Sequence, residues 1–563
     1  MADPLLPLVD GIAPPLPLLL RWCERIRARA VADARRPLVA IPHLPDGNGV
    51  LPDALRLGGI ETVRLPERDD LPYDGFRWEG LGGARVRVVG DDLDDDPAGL
   101  PLHVGNLPAP VPPADQHDPA ALYALLDLAR LEDATALLAD EPPADESATW
   151  DHLLASAGLT SGDFDRPLPM PPGRTTRGDP RHPSLWNPLP FARRALTVLP
   201  AGDQRPPWAL RAADGRQAPV QVVDLPDGSR ELLVSFQLDA LQGLALTGES
   251  EPVAEPNWEV SATVLDNGVV RAEFDALGHV SRLCWDGRFA DLIGPAVAPR
   301  RDGLPLTGET TVTVAEAGPV RGLVVVERRC LGGTLSVRYE LHAHEDVLRV
   351  QAAWTASGDQ AHSEPPVLVH PTGHRAGDLW CSGDGGRWSI PAKASLFSSC
   401  DPVRGIRWAS LGDSGGRSLA VVGARPLAVR AESGHLEVAV EGNVQYAIAG
   451  PRGDGRLNLG QLAQHLACPA RASTAGERTA PWRFTDLGGV VPLWARRIKD
   501  WRGAVLLAEQ AGSRGRATWF IACREAARVM PDGAIIAALP ATPEGDGWQV
   551  DFAPGELAII AWR

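Results

Sequence analysis

Lysine is almost missing from this chain. Only Lys393 and Lys499 occur, against 55 basic residues in all, so nearly every positive charge is arginine. Acidic residues number 72, and the net charge of −17 repels nucleic acid and anionic membrane alike. With abundant alanine, glycine and proline, arginine in place of lysine reflects a GC-rich genome rather than a binding role. Cysteine pairs are missing too. The seven cysteines, at 23, 284, 330, 381, 400, 468 and 523, include no C-x-x-C spacing. An odd, scattered set suits a reducing cytoplasm and argues against a structural zinc of the four-cysteine kind. No run approaches the roughly 18 apolar residues of a membrane span. The opening MADPLLPLVDGIAPPLPLLLRWCER is apolar, but it lacks a basic leader and is broken by five prolines, so it does not read as a secretory signal. GxxxxGK[ST] and a strand-linked GxGxxG are absent, and with them any sign of nucleotide binding.

What is present is a chain of 563 residues, enough for several domains. PLVAIPH (37–43) reads as a short strand, VLPDALRLGG (50–59) as a helix stopped by Gly58-Gly59, and ETVRL (61–65) as a second strand. Together they make a β–α–β unit. Asp46 then lies just past the first strand, where open α/β sheets and barrels place reactive groups. FRWEGLGGARVRVVG (76–90) follows, with Val86 and Val88 alternating against Arg85 and Arg87. Residues 118–140 and 147–158 have helical spacing, and 166–184 have the Pro, Gly and Arg content of a linker. From Leu185 onward short alternating runs recur between glycine and aspartate turns, which predicts an almost wholly β region with under about one tenth helix. The expected fold is multidomain α/β plus all-β. A reduced, barrel-like α/β domain covers 1–110, a helical segment 111–165, a linker 166–185, a small β domain 186–255 and a large β sandwich 256–563.

Several stretches resemble the class II α-mannosidases, glycoside hydrolase family 38. WNPLPFARRALTVLP (186–200) is similar to the strand that opens that family's β region. VSFQLDALQGLAL (234–246), VLDNGVVRAEFDALGHVSRLCWDGRFADLI (264–293), LSVRYELHAHEDVLRVQAAW (335–354) and GIRWASLGDSGGRSLAVVG (405–423) resemble later segments in the same order. HLPDGNGVLPDALRLGGI (43–60) then looks like a shortened form of the family's W-L-P-D-x-F-G … L-P-x-x-L … G-I. LPYDGFRWEGLGGARVRVV (71–89) is similar to the F-x-W-E-G-x-D-G-S-x-V that follows. The resemblance implies a retaining glycoside hydrolase in which the L-P-D aspartate, here Asp46, is both glycosyl nucleophile and zinc ligand.

The departures are specific. His43 stands for the tryptophan, Asn48 for the phenylalanine, Gly82 for the second motif's aspartate and Ala84 for its serine. No H-x-D pair precedes Asp46, and no H-H-D-A stretch follows it. Retaining hydrolysis needs two carboxyl groups about 5–5.5 Å apart, and a catalytic zinc needs about three protein ligands. Asp46 supplies one of each; the acid/base and the remaining ligands are not visible. The plain alternative is that Asp46 caps the turn at Gly47-Asn48-Gly49. Two functions follow: an α-mannosidase-like hydrolase acting on a glycan or glycoside, or a degenerate relative serving as a carbohydrate-binding or assembly subunit. The second is compatible with a homo-oligomer or a partner subunit. Neither calls for nucleic acid or membrane.

Other patterns weigh less. HAHED (342–346) would set His342, His344 and Asp346 on one strand face as a metal trio. His370 and His374 with Asp378, Cys381 and Asp384 are rich in ligand types, although Pro and Gly exclude a helical pair. GDSGG (412–416) imitates a serine-protease motif, but no alanine-alanine-His-Cys stretch precedes it and it reads as a hairpin turn between two strands; Arg452-Gly453-Asp454 reads as a surface turn. Seventeen tryptophans suit either sugar stacking or β-sandwich cores.

Overall fold

The fold is given by a computed structural model. It describes residues 51–65, 75–89 and most of 182–563, with strands 38–40 and 102–104 and several helical residues between 19 and 30. Within 182–563 the longest segments outside the description are 290–295, 358–364, 372–378, 391–402, 412–418, 451–457 and 474–481.

The β–α–β unit forms as the pattern requires. Strand β1 (Leu38–Ala40) pairs in parallel with β2 (Thr62–Arg64), and the helix Leu51–Leu57 lies between them in the chain. The helix stops where Gly59 takes φ 80°, while Ile60 N–H bonds back to Leu55 O at 2.8 Å. That is a Schellman-type stop, which favours glycine. β3 (Gly75–Glu79) and β4 (Arg85–Val89) make an antiparallel hairpin, and β5 (Leu102–Val104) completes the order β1-β2-β4-β3-β5. Helical residues Leu19, Leu20, Cys23 and Ile26 also pack here. Cys23 lies so close to Gly58 that a Cβ there would stand 2.4 Å from the Cys23 Cβ.

This unit does not close its own core. Leu51, Leu55, Trp78 and Val86 share one apolar cluster with Val491, Leu493, Trp494 and Ile559, near the other end of the chain. Those partners belong to a five-stranded sheet whose strands include Val490–Ile498, Trp501–Glu509 and Leu557–Trp562. The opposite side of that sheet faces a three-stranded sheet across Trp482, Trp519 and Trp562, whose rings meet edge-on at 4.8 and 5.2 Å between centroids. Tryptophan therefore goes largely to cores: Trp78, Trp186, Trp285, Trp408, Trp494 and Trp501 are buried as well, while Trp208 is 54% exposed.

Two sheets make the small β unit. One runs β10 (Gln221–Asp224), β11 (Arg230–Leu238), β7 (Arg193–Pro200); the other is built on β6 (Ser184–Trp186), β12 (Gly243–Glu249), β8 (Ala209–Ala212) and β9 (Gln217–Pro219). The second is extended by Arg471–Ser473, a strand supplied from far along the chain. The sandwich proper sets a five-stranded sheet (strands from Glu259 to Phe289) against a thirteen-stranded one. Its long strands alternate as expected: Gly333–His342 buries Leu335, Val337, Tyr339 and Leu341 on one face. Among the described residues of 186–563, Leu459–Ala467 is the one α-helix, opened by a reciprocal capping box between Asn458 and Gln461. The expected β character of this region holds across its described residues.

Gln221 fastens the small unit to the sandwich. Its Oε1 accepts from Val320 N–H (3.1 Å) and Arg321 N–H (2.7 Å), and its Nε2 donates to Glu316 (3.1 Å). Gly318 makes room for it; a Cβ there would stand 2.2 Å from Gln221 Cδ. Gly318→Ala should push the amide off these partners and cost about 1–3 kcal/mol. Gln221→Ala should cost a similar amount, and the double variant less than the sum, because both lose the same contacts. Urea unfolding of the three variants checks this; additive losses would show that the two residues act separately.

Candidate functional site

Asp46, His43 and Asn48 lie outside the described residues. The structure shows what holds the segment that follows Asp46. Asp53, at the third position of the helix Leu51–Leu57, is 5% exposed. Its two carboxylate oxygens accept from Gly82 N–H and Ala84 N–H, both at 3.0 Å. Those donors sit in the β3–β4 turn, closed by Gly83 at φ 83° and by the Glu79–Arg85 ion pair. The two stretches that resemble family motifs are thus pinned to one another by one side chain. Burial pushes the Asp53 carboxyl up to about 6, although the Gly82 and Ala84 donors pull it down.

The same contact explains a departure noted in the sequence. A Cβ on Gly82 would stand 2.7 Å from Asp53 Oδ1 and 2.9 Å from Gly555 O. No side chain fits where the family carries aspartate. Gly555 is itself held: its N–H donates to Glu509 (2.7 Å), a fully buried carboxylate that also accepts from Ala511 (2.7 Å) and Gly512 (3.1 Å). Asp53 was not singled out in the sequence. Its partners lie about thirty residues away in the sequence.

The HAHED stretch is not a strand face. The strand ends at His342, and residues 343–346 turn, with His344 at φ 62°. His342 points inward, with Nε2 3.4 Å from Glu340 and Nδ1 3.3 Å from Glu345; His344 is exposed. A left-handed residue breaks the two-residue alternation that the trio required. What forms instead is a buried ionic cluster. Arg349 forks onto Glu345 through two 2.8 Å bonds, and His465 Nε2 lies 3.3 Å from the same carboxylate. Burial alone would raise the Glu345 carboxyl, but Arg349 and then His342 outweigh it and hold it well below the usual range. Burial takes His465 down to about 4, so it is neutral at pH 7, and its Nε2–H can serve Glu345.

His370 is also spoken for. Nδ1 lies 3.0 Å from Ala296 O and Nε2 2.9 Å from the Tyr446 hydroxyl, in full burial. Neither nitrogen is left for a metal. Cys381 is buried in the sandwich core, where burial raises its thiol. His374, Asp378, Asp384, the GDSGG stretch and Arg452-Gly453-Asp454 lie outside the described residues. The strands flanking GDSGG do pair as a hairpin, Leu411 opposite Leu419. Among the described residues no three His, Cys, Asp or Glu side chains converge as a metal would require. No ligand set for zinc is present among the described residues.

Two solved structures share this fold. One is an α-mannosidase from Enterococcus faecalis V583, with a TM-score of 0.67, 9% identity, and coverage of 99% of this chain and 90% of that one. The other is a protein in glycosyl hydrolase family 38 from Enterococcus faecalis, with a TM-score of 0.63, 10% identity and the same 99% and 90% coverage. No protein-family model matches the chain. No curated protein matches it by sequence either. The fold is that of the family whose segments the sequence resembles.

Asp53 gives a pH signature. Its folded value, about 6, exceeds the ordinary 3.8, so the folded state holds the proton more tightly. Stability from this group is complete below about pH 4 and is lost as pH rises to 6. Two units correspond to about 3 kcal/mol. Asp53→Asn lacks the titration but loses one acceptor. The stability of wild type minus that of Asp53→Asn should therefore fall by about 3 kcal/mol between pH 4 and pH 7. Chemical denaturation at a series of pH values reads it, and a flat difference would show that burial does not govern this carboxyl.

Proposed function

We propose that this protein is a carbohydrate-active member of the α-mannosidase-like fold, a retaining glycoside hydrolase whose nucleophile is Asp46. The observation that supports the reading is the Asp53 clamp, which joins the two motif-like stretches next to the Asp46 segment. In such a reaction the Asp46 carboxylate attacks the anomeric carbon, the glycosidic oxygen leaves with a proton from a second carboxyl, and water then releases the sugar. The substrate class is a glycan or glycoside, and the location is the cytoplasm. No described helix is long and apolar enough to cross a membrane.

One observation favours a second reading, a degenerate relative that binds carbohydrate or assembles with other chains. The position of the family's second-motif aspartate is Gly82, and the packing there excludes any side chain. Zinc through Asp46 belongs to the first reading alone and there needs further ligands, since one carboxylate does not hold zinc tightly.

Asp46→Asn separates the two. The amide is nearly isosteric and can keep a turn's hydrogen bonds, so stability should change by about 1 kcal/mol or less. It cannot serve as an anionic nucleophile. On an aryl α-mannoside, the hydrolase reading expects an active wild type and an inactive variant at equal Tm, with zinc approaching one per chain by elemental analysis. Equal activity in both proteins removes Asp46 as nucleophile. Inactivity of both on a panel of aryl glycosides, with zinc well below one per chain, favours the binding reading.

A further inference from the structure

The thirteen-stranded sheet ends differently at its two edges. One edge is Leu304–Pro305, two residues closed by a proline. The other is Glu309–Ala317, nine residues that pair on one side with Arg321–Cys330 and, among the described strands, with nothing on the other. Proteins blunt a long edge with lysine, with proline or with a bulge that twists it away. This strand, ETTVTVAEA, has neither lysine nor proline. Its bulge falls between Val314 and Glu316, so Thr310–Val314 stay regular. The outward N–H and C=O groups of that stretch are ready to pair with another strand.

The two ends of that stretch match one another. Val312 packs against the sandwich core, while Thr311 and Thr313 are exposed on the opposite face. Val314 shares the face of Val312 and is 36% exposed. Toward the other end, the turn Asp275–Gly278 covers this same face: a Cβ on Gly278 would stand 2.5 Å from Val326 Cγ1 and 3.3 Å from Val312 Cγ2. Buried Arg328 ties that turn to the start of the strand. It donates to Leu277 O, to Leu306 O (3.0 Å) and to Thr310 Oγ1 (3.1 Å). Leu277 itself is 55% exposed. An exposed leucine and an exposed valine therefore flank Val312 at opposite ends of one edge.

We propose that a second copy of this chain docks on this edge, with Glu309–Ala317 pairing antiparallel to itself across a two-fold axis at Val312. Thr311 then faces the partner's Thr313, and Thr310 faces the partner's Val314. The Leu277 turn of each copy meets the exposed valine of the other. Charge selects the same register. At a net charge of −17 two copies repel, so a seam must keep its carboxylates apart. With the axis at Val312, Glu309 faces the partner's Ala315, and Glu316 is neutralised within its own chain by a two-pronged Arg321 (2.6 and 2.8 Å). A one-residue slip would set Glu309 against Glu316, and the buried face of one copy against the exposed face of the other. The dimer joins the two thirteen-stranded sheets edge to edge and is independent of the Asp46 reading.

Sedimentation velocity of the full chain over about 1–100 µM tests the proposal, because a dimer responds to concentration by mass action. Wild type should be dimeric at the upper end of the series. Thr311→Lys with Thr313→Lys sets lysine against lysine across the axis and should weaken the dimer at least tenfold. Both sites are exposed, so the Tm of the dilute variant should stay within about 2 °C of wild type. Thr311→Lys with Thr313→Glu sets lysine against glutamate and should restore the dimer. That rescue is specific to the register, since only an axis at Val312 places residue 311 opposite the partner's 313. A wild type that is monomeric throughout, or a dimer indifferent to the paired lysines, overturns the proposal. A lysine–glutamate variant as weak as the double-lysine one overturns the axis at Val312.

Discussion

The arrangement of the β units depends on one buried carboxylate. Glu345 sits in a turn at the end of the sandwich, 8% exposed. Removing an ionised carboxylate from water costs several kcal/mol, which only close, well-aligned partners offset. Arg349 supplies a bidentate pair, and His342 and His465 approach the same group. His465 comes from the helix Leu459–Ala467, and its backbone oxygen receives Arg193 from the small β unit. Arg193 is fixed in turn by Asn187 at 2.8 Å. Sandwich, helix and small unit thus meet around one charge. Both Glu345 and His465 have folded pKa values below their ordinary ones, so each contributes stability that is lost as pH falls. Asp53 has the opposite sign. Acid therefore loosens the junction of the β units while relieving the N-terminal clamp.

The N-terminal clamp follows a different logic. Asp53, Gly82, Gly555 and Glu509 form a relay of carboxylates and bare backbone from the first helix to the last sheet. The apolar cluster beneath it draws on residues near both ends of the chain. Closing so long a loop is entropically expensive, although the cost grows only slowly with length. The shared core offsets it: Leu51, Leu55, Trp78, Val491, Leu493 and Trp494 are all essentially removed from water, at about 1.5–3 kcal/mol for each fully buried large side chain. The α/β unit is accordingly an outer layer on the C-terminal sheet. Gly82 and Ala84, which look in the sequence like lost chemistry, are positions whose backbone N–H groups the clamp uses.

Patterns of short range were legible in the sequence. The helix Leu51–Leu57 with its Gly-Gly stop, the β3–β4 hairpin and the alternating strand Gly333–His342 all rest on neighbours a few residues apart. What the sequence concealed needed distant partners. Leu19, Leu20 and Cys23 stand amid prolines, and their helical stripe has meaning only against the clustered core. Arg471–Ser473 joins a sheet begun at Ser184. The HAHED stretch failed because alternation was carried four residues past the strand's end at His342; the turn at His344 reverses the chain where the pattern still looked extended. His370 looked ligand-rich because Ala296 and Tyr446, which consume its nitrogens, are about 75 residues away on either side.

Sharing a fold at 9–10% identity also has a physical basis. Alternation, turn glycines and buried clamps constrain residue type at scattered positions, and many sequences satisfy them. Chemistry is more demanding, because it requires particular side chains at particular places, so a fold can persist while a site changes. Here the demands are divided along the chain. Asp53 answers to packing: it is buried and its oxygens are filled by backbone N–H groups. Asp46 lies seven residues earlier in the sequence. A change at Asp53 therefore acts through stability and its pH dependence, whereas a conservative change at Asp46 acts through chemistry if the hydrolase reading is right. The clamp makes the two effects separable, since it can hold the helix and hairpin in place whether or not Asp46 carries a charge.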